Sequence, residues 1–144
     1  MKKILLCAIV AAMFTLPTHA GEDEEAVKKA ITDAYVEAIH NLRNTENIDL
    51  GFHPDFDLLG LRDNELTHYS ITDWKVSVQK SAAKYPEGAP LPTEAKFPVV
   101  DVTGDAAVAK VELYRADKLI FSDYLLLYRF DEGWKIVSKI YHRH

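Results

Sequence analysis

The sequence is almost free of cysteine, and it has neither a basic run nor an apolar run long enough to span a membrane. Its one cysteine, Cys7, lies in an N-terminal segment that we expect to be removed. Disulfides, thiol catalysis and thiolate metal sites are then excluded from the mature chain. The 17 lysine and arginine residues are outnumbered by 22 aspartate and glutamate residues. An acidic domain without a basic run is a poor binder of nucleic acid, because contacts to phosphate dominate that affinity.

The start of the chain has the pattern of a cleavable signal peptide. Lys2 and Lys3 precede an apolar run from Ile4 to Leu16, and Thr18-His19-Ala20 places small residues where a signal peptidase reads them. We therefore expect residues 1–20 to be a signal peptide and the protein to be exported to a periplasm or secreted. Residues 21–144 are long enough for one domain, which we expect to have no membrane attachment after cleavage.

Helical periodicity marks the N-terminal half of this domain. Residues 22–44 are predicted to form one long amphipathic helix, and a short helical turn follows at residues 46–51. Ser70 and Asp73 give a capping-box-like start to another helix, which must end at Tyr85-Pro86. The predicted buried stripe of the first helix comprises Val27, Ile31, Ala34, Tyr35, Ala38 and Leu42.

Turn signals divide the rest of the chain into strands. Residues 56–61 and 65–69 are predicted to form a hairpin around Asp63-Asn64. Four further antiparallel strands are predicted between Phe97 and Tyr141. Their turns are Thr103-Gly104-Asp105, Ala116-Asp117 and Asp131-Glu132-Gly133.

Counting outward from these turns predicts which residues face each other. A two-residue turn at Ala116-Asp117 sets Ala109 opposite Tyr124, and sets Lys110 opposite Asp123 as an ion pair directed away from the interior. The inward face is then predicted to comprise Ser122, Tyr124, Leu126, Tyr128, Trp134, Ile136, Ser138, Ile140 and His142. A three-residue turn at 131–133 is predicted to pair Phe130 with Trp134, Tyr128 with Ile136, Leu126 with Ser138, Tyr124 with Ile140 and Ser122 with His142.

The order of elements, α-α-β-β-α-β-β-β-β, predicts an α+β fold in which a curved antiparallel sheet wraps around the helices. That order resembles the nuclear transport factor 2-like superfamily, as do the stretch Phe52-His53-Pro54-Asp55-Phe56, the helix start at 71–74 and the ending Gly133-Trp134-Lys135-Ile136-Val137. Within it, the chain is most similar to the lumazine-binding group, near the SnoaL-like and ketosteroid isomerase-like proteins. The resemblance spans essentially the whole mature chain. It implies a cone-shaped fold that hosts enzymes and non-catalytic proteins alike, with polar pocket contacts from His53 and Asp57.

Nine residues are candidates for a pocket inside the cone: Tyr35, His53, Asp57, Trp74, Ser122, Tyr124, Tyr128, Ser138 and His142. An apolar face with a few polar groups suits a small aromatic or polycyclic ligand. A cone also needs large side chains simply to close, so a filled core is the alternative. An open cavity of roughly 300 Å³ or more would favour binding. His53 and Asp57 also have purely structural explanations, as a cap before Pro54 and as an exposed strand residue.

No metal or cofactor is predicted. His142 and His144 alternate along the last strand and could reach one metal with His53 or His68, but no third ligand is defined. The predicted outward face is too apolar for free solvent, and sheet-mediated dimers are common in the resembled superfamily, so a homodimer is expected. The predicted interface comprises Phe121, Leu125, Leu127, Val137 and Tyr141.

Three functions remain open from the sequence. The first is an exported protein that binds a small molecule in its cone. The second is a cofactor-free enzyme of the isomerase, dehydratase or hydrolase kind, with His53, Asp57 or His142 as acid and base. The third is a dimerisation module whose cavity is filled by its own side chains.

Overall fold

A computed structural model describes residues 20–144, and it confirms the α+β cone. The predicted signal peptide lies outside the described residues. The elements are α1 (Ala20–Ile31), a π-helical segment (Thr32–His40), α2 (Asn47–Gly51), β1 (Phe52–Arg62), β2 (Glu65–Ser70), α3 (Ile71–Lys84), β3 (Glu94–Thr103), β4 (Ala106–Arg115), β5 (Lys118–Phe130) and β6 (Gly133–Arg143). The helices pack on the concave face of one six-stranded sheet.

The sheet order is β2-β1-β6-β5-β4-β3. Neighbouring strands are antiparallel except β1 and β6, which run parallel and join the first hairpin to the last strand. The hairpin turn at Asp63-Asn64 forms as predicted, with a positive φ at both residues. This topology places the middle of β6, from Ile136 to Ile140, beside β1.

The long N-terminal helix changes its winding halfway. From Thr32 onward it is π-helical, and the Asn41 N–H donates to the Val36 carbonyl, five residues earlier, at 2.9 Å. The predicted stripe is buried, with Leu42 at its margin. The wider turn sets Tyr35 and His40 in the interior, and such π segments are frequent at functional sites.

The close approach of α2 to this helix depends on a glycine. A Cβ at Gly51 would lie 2.2 Å from the Cβ of Ala34, which real side chains do not tolerate. At the start of α3, the Ser70 hydroxyl accepts a hydrogen bond from the Asp73 N–H at 3.1 Å, so the predicted cap of this helix is confirmed.

A β-bulge reverses the predicted faces of β5. The turn at Ala116-Asp117 has two residues as predicted, and Arg115 pairs with Lys118. Ile120 is then an extra residue on β5, so that Leu113 pairs with Phe121. Because one inserted residue moves every later side chain to the opposite face, the predicted pairs of β4 with β5 beyond the bulge are wrong.

A second bulge, at Val137, partly restores the predicted register between β5 and β6. The pairs Leu126 with Ser138, Tyr124 with Ile140 and Ser122 with His142 are confirmed. Nearer the turn the prediction is wrong, since Phe130 pairs with Gly133 and Tyr128 pairs with Lys135.

On β5 after Ile120, and on β6 after Val137, the two faces are therefore exchanged relative to the prediction, whereas Trp134 and Ile136 are buried as predicted. Leu125 and Leu127, predicted to lie at a dimer interface, are 0% and 1% exposed in the core. Tyr124 and Tyr128, predicted to line the pocket, are 43% and 50% exposed on the convex side, which we call the outer face. The β5 residues at the centre of the cone are consequently those that the turn counting had pointed outward.

Candidate functional site

A lysine, an aspartate and a tyrosine meet in the interior of the cone. Lys139 Nζ lies 3.2 Å from Asp123 Oδ1, and the Tyr35 hydroxyl donates to Asp123 Oδ2 at 2.6 Å. Lys139 Nζ also contacts the Tyr35 hydroxyl oxygen. The three side chains are at most 5% exposed. We call this group the Lys–Asp–Tyr triad.

The sheet and the π-helical segment bring the triad together. Asp123 lies on β5 opposite Tyr141, and Lys139 lies on β6 opposite Leu125. The two charged residues are thus diagonal neighbours on the concave face, within reach of a long side chain. Tyr35 reaches them from the helix layer above.

Burial drives the charged pair toward its neutral form. Desolvation lowers the pKa of Lys139, and the attraction of Asp123 opposes that shift only in part. Desolvation likewise raises the pKa of Asp123 against the opposing effects of Lys139 and Tyr35. The pKa of Tyr35 is raised by burial and by the Asp123 charge. Shifts of this kind make Lys139 available as a neutral amine more readily than a surface lysine.

The half-buried His40 has a buried ring nitrogen with no hydrogen-bond partner among the described residues. Burial, with the charges of Lys139 and Arg115, lowers the His40 pKa to about 3, so the ring is neutral. Arg115 is anchored by donating to Thr93 Oγ1 at 2.9 Å, and its other arm lies 3.5 Å from His40 Nδ1. Because an arginine only donates, Nδ1 is the acceptor and Nε2 carries the hydrogen.

This assignment makes the Nε2–H group of His40 a buried donor. Nε2 has no hydrogen-bond partner among residues 20–144. A buried donor without a partner costs free energy, which a bound acceptor would recover.

A pocket opens over the triad and His40. Its volume is about 240 Å³. The lining residues are His40, Leu58, Tyr69, Trp74, Phe121, Lys139, Tyr141 and Arg143. We call this the central pocket; of the triad, Lys139 is the member that lines it.

Aromatic rings surround the lysine end of the central pocket. Lys139 Nζ lies 4.6 Å from the ring centre of Tyr35, 5.1 Å from that of Tyr141, 5.4 Å from that of Trp74 and 5.9 Å from that of Phe121. Ring faces stabilise a cation at these distances. They also give a small ligand flat apolar walls.

A larger cleft of about 310 Å³ lies elsewhere, between α2 and α3. Its charged groups, Asp49 and Lys75, form an ion pair with each other at the surface. Since this cleft holds no buried titratable group, the central pocket is the better candidate for chemistry.

Comparison with known proteins places the chain in a family. A family model described as "Putative lumazine-binding" matches residues 22–142. The chain belongs to this lumazine-binding family. It is 30% identical over 125 residues to "Aldolase FrzH" of Cladobotryum sp, covering 86% of this chain and 94% of that protein.

Solved structures agree on the fold of this family member. A nuclear transport factor 2-like protein of unknown function from Shewanella baltica OS155 has a TM-score of 0.67 at 21% identity, covering 86% of this chain and 95% of that chain. One from Silicibacter pomeroyi DSS-3 has a TM-score of 0.67 at 23% identity, covering 86% and 98%. At these identities the likeness shows the nuclear transport factor 2-like fold alone.

The structure brings two of the nine predicted pocket residues to the central pocket. Trp74 lines it, and Tyr35 lies behind it in the triad. His53 instead stacks on Phe130 with ring centres 4.9 Å apart, and Asp57 contacts His68 at the surface. The other five, Ser122, Tyr124, Tyr128, Ser138 and His142, are on β5 and β6 facing away from the pocket.

Two of these outer residues have hydrogen bonds of their own. Ser138 Oγ donates to the Asp57 carbonyl at 3.2 Å, and Ser122 Oγ lies 3.0 Å from His144 Nε2.

Within residues 20–144 no three histidine, cysteine or carboxylate side chains are grouped as metal ligands. In the same part of the chain, no helix has the length and apolar character that crossing a membrane requires.

Sequence reasoning missed Lys139 and His40 and gave Asp123 the wrong direction. A signal was present, because Asp123 and Lys139 are single charges in the apolar runs of two adjacent strands. A lone charge in such a run indicates either an outward surface position or a buried pair, and the bulge at Ile120 decides for the buried pair.

Proposed function

We propose that this protein is an enzyme that binds a small carbonyl compound in the central pocket and moves a proton at the carbon beside the carbonyl, using its own side chains. The observation that carries the proposal is the Lys–Asp–Tyr triad buried beneath an aromatic-walled pocket of about 240 Å³. That volume is below the range of drug-sized sites, so the proposed substrate is smaller than a polycyclic ligand.

A buried ion pair is a poor means of stabilising a fold. Desolvating two charges costs several kcal/mol per ion, and well-packed apolar residues of similar volume are often at least as stable. Titratable groups with shifted pKa values beside a pocket are typical of sites that transfer protons. The position of Lys139 in the pocket wall, with Asp123 and Tyr35 behind it, therefore supports a catalytic role.

Each polar group has a distinct task in this proposal. The neutral amine of Lys139 accepts the proton from the substrate carbon. Asp123 and Tyr35 hold Lys139 in place and stabilise the ammonium that forms. The Nε2–H group of His40 donates to the carbonyl oxygen as negative charge develops there, and one such donor contributes roughly 10²–10³ in rate in other enzymes.

The name of the relative supports the same class of chemistry. An aldol addition begins with removal of a proton beside a carbonyl group, which is the step proposed here. That relative, "Aldolase FrzH" of Cladobotryum sp, is 30% identical to this chain.

Proton exchange in deuterium oxide tests the proposal. Small ketones and aldehydes, from acetone to phenylacetone, would be incubated with the protein and followed by NMR. We expect exchange at the carbon beside the carbonyl with wild type and at least about a hundredfold less with Lys139→Met. Lys118→Met, at an exposed turn, is the matched control. Equal exchange by all three proteins would refute the proposal.

A binding protein without catalysis is the second candidate, because aromatic walls and an unused His40 donor also suit a ligand that is only held. Native mass spectrometry of protein from its own host would reveal a retained small molecule.

The same sample tests export, since we propose that the mature chain begins at Gly21. Recovery of the intact chain beginning at Met1 would contradict cleavage.

We also propose that the protein forms a homodimer through the outer face rather than through the residues predicted from the sequence. Four exposed apolar side chains on β5 and β6 support this interface: Tyr124, Leu126, Tyr128 and Ile140. Sedimentation at increasing concentration is the test, and a chain that stays monomeric would refute the dimer.

A further inference from the structure

We propose that Lys139 acts as a nucleophile and forms a covalent iminium with its aldehyde or ketone substrate. This inference rests on the proposed function, since it concerns the same pocket and the same substrate class. Lys139 is the one lysine buried among the residues that the structure describes, and it lines the central pocket. A carbonyl compound that fills the pocket would thus lie against its amine.

The triad supplies what the condensation needs. The Lys139 amine forms a bond to the carbonyl carbon, and the electron pair of the C=O π bond moves to oxygen, which takes up a proton. Loss of water then gives the iminium. Overall, one amine, one carbonyl and one proton yield one iminium and one water.

Proton transfer during this sequence has a short route. Asp123 Oδ1 lies 3.2 Å from Lys139 Nζ and accepts no well-directed hydrogen bond within residues 20–144, so it can take the proton that the attacking nitrogen loses. Tyr35, which donates to the other carboxylate oxygen at 2.6 Å, keeps that carboxyl oriented. A carboxyl whose pKa is raised by burial can return the proton to the departing oxygen.

The walls of the pocket suit an iminium. Four ring centres lie 4.6–5.9 Å from Nζ, which is the range in which ring faces stabilise a cation. The iminium keeps its positive charge on the same nitrogen, so these contacts persist after condensation.

A lysine acting only as a base would not form this bond, so chemical trapping separates the two roles. Wild-type protein would be incubated at pH 7 with dilute benzaldehyde and sodium cyanoborohydride, which reduces an iminium to a stable secondary amine. Peptide mapping at several times would give a labelling rate for each lysine. We expect Lys139 to give the fastest label of all the lysines, ahead of the exposed Lys118, because burial lowers the Lys139 pKa and leaves more of its amine neutral at that pH.

The mapping is done on wild type, so it does not depend on a variant that folds. Lys139→Arg, which keeps a cation but cannot form an iminium, should lose the fast label, and acetone in excess should slow it. Fast labelling elsewhere with none at Lys139 would overturn the inference. If α-proton exchange persisted in that case, the proposed function would stand with Lys139 as a base. Labelling at Lys139 without any exchange would support the nucleophile and overturn the proposed proton transfer.

Discussion

Replacing Lys139 by Met would leave Asp123 in the core without its counter-charge. Removing one partner of a buried ion pair costs about 3–5 kcal/mol when the other stays ionised. Asp123 is 0% exposed, and Tyr35 remains as a hydrogen-bond donor to it. A protein of this size has about 5–15 kcal/mol of stability, so the variant would lose a large part of it.

The loss should depend on pH with a definite sign. Burial already raises the Asp123 pKa, and the variant removes the Lys139 charge that opposes this rise. The folded state then binds a proton more tightly than the unfolded state, in which the pKa is 3.8. The stability that protonated Asp123 contributes is therefore fully present below pH 3.8, and it is lost as the pH rises through the pKa of Asp123 in the folded state.

Urea denaturation of wild type, Lys139→Met and Asp123→Asn/Lys139→Met at pH 5 and pH 8 would measure this effect. We expect the single variant to be clearly less stable at pH 8 than at pH 5, relative to wild type. The double variant should lose that added pH dependence because it has no carboxyl to protonate. A single variant as stable as wild type at pH 8 would refute the buried pair.

Three further predictions concern other parts of the molecule. The pKa of His40 is about 3 in the folded protein and 6.5 in the unfolded chain, so up to about 5 kcal/mol of stability is lost as the pH falls from 6.5 to 3. His40→Gln should reduce this acid-induced loss in urea titrations, and an unchanged acid sensitivity would contradict the prediction. Gly51→Ala should lower the free energy of unfolding by about 1–3 kcal/mol in thermal denaturation, because the new Cβ would lie 2.2 Å from a side-chain atom. A Cβ at Gly21 would meet open space, so Gly21→Ala should be neutral. Equal melting temperatures of the two variants would exclude the close contact at Gly51. Leu127→Glu should unfold the protein because the Leu127 side chain is 1% exposed, whereas Leu126 is 49% exposed, so Leu126→Glu should fold and weaken only a dimer. Circular dichroism and sedimentation distinguish these results. A folded Leu127→Glu protein would mean that the faces of β5 are as first predicted.

Most repeating patterns and turns were predicted correctly from the sequence. The buried stripe of the first helix, the Ser70 cap and the turns at Asp63-Asn64 and Ala116-Asp117 followed from spacing and turn chemistry, but the turn after Phe130 has two residues instead of the predicted three. The change to π-helical winding at Thr32 was not predicted, because the apolar spacing there suits an ordinary helix equally well.

The site depended on a feature that turn counting cannot detect. One extra residue, Ile120, decides whether Asp123 or Tyr124 enters the cone. Both strand faces carry apolar residues, so the hydrophobic pattern does not fix the register. The predicted register of β5 and β6 already made Asp123 and Lys139 diagonal neighbours on one face, and the bulge at Ile120 turns that face into the cone.

The central claim is that Lys139 presents a readily deprotonated amine to the pocket, and NMR titration of lysine side chains tests it most directly. Lysines labelled at the ε-carbon would be followed from pH 5 to pH 11, with the Lys139 signal assigned by its absence from Lys139→Arg. We predict that this signal titrates below those of the surface lysines, because burial lowers its pKa from 10.5. A Lys139 signal that titrates with the others, or above them, would contradict the account.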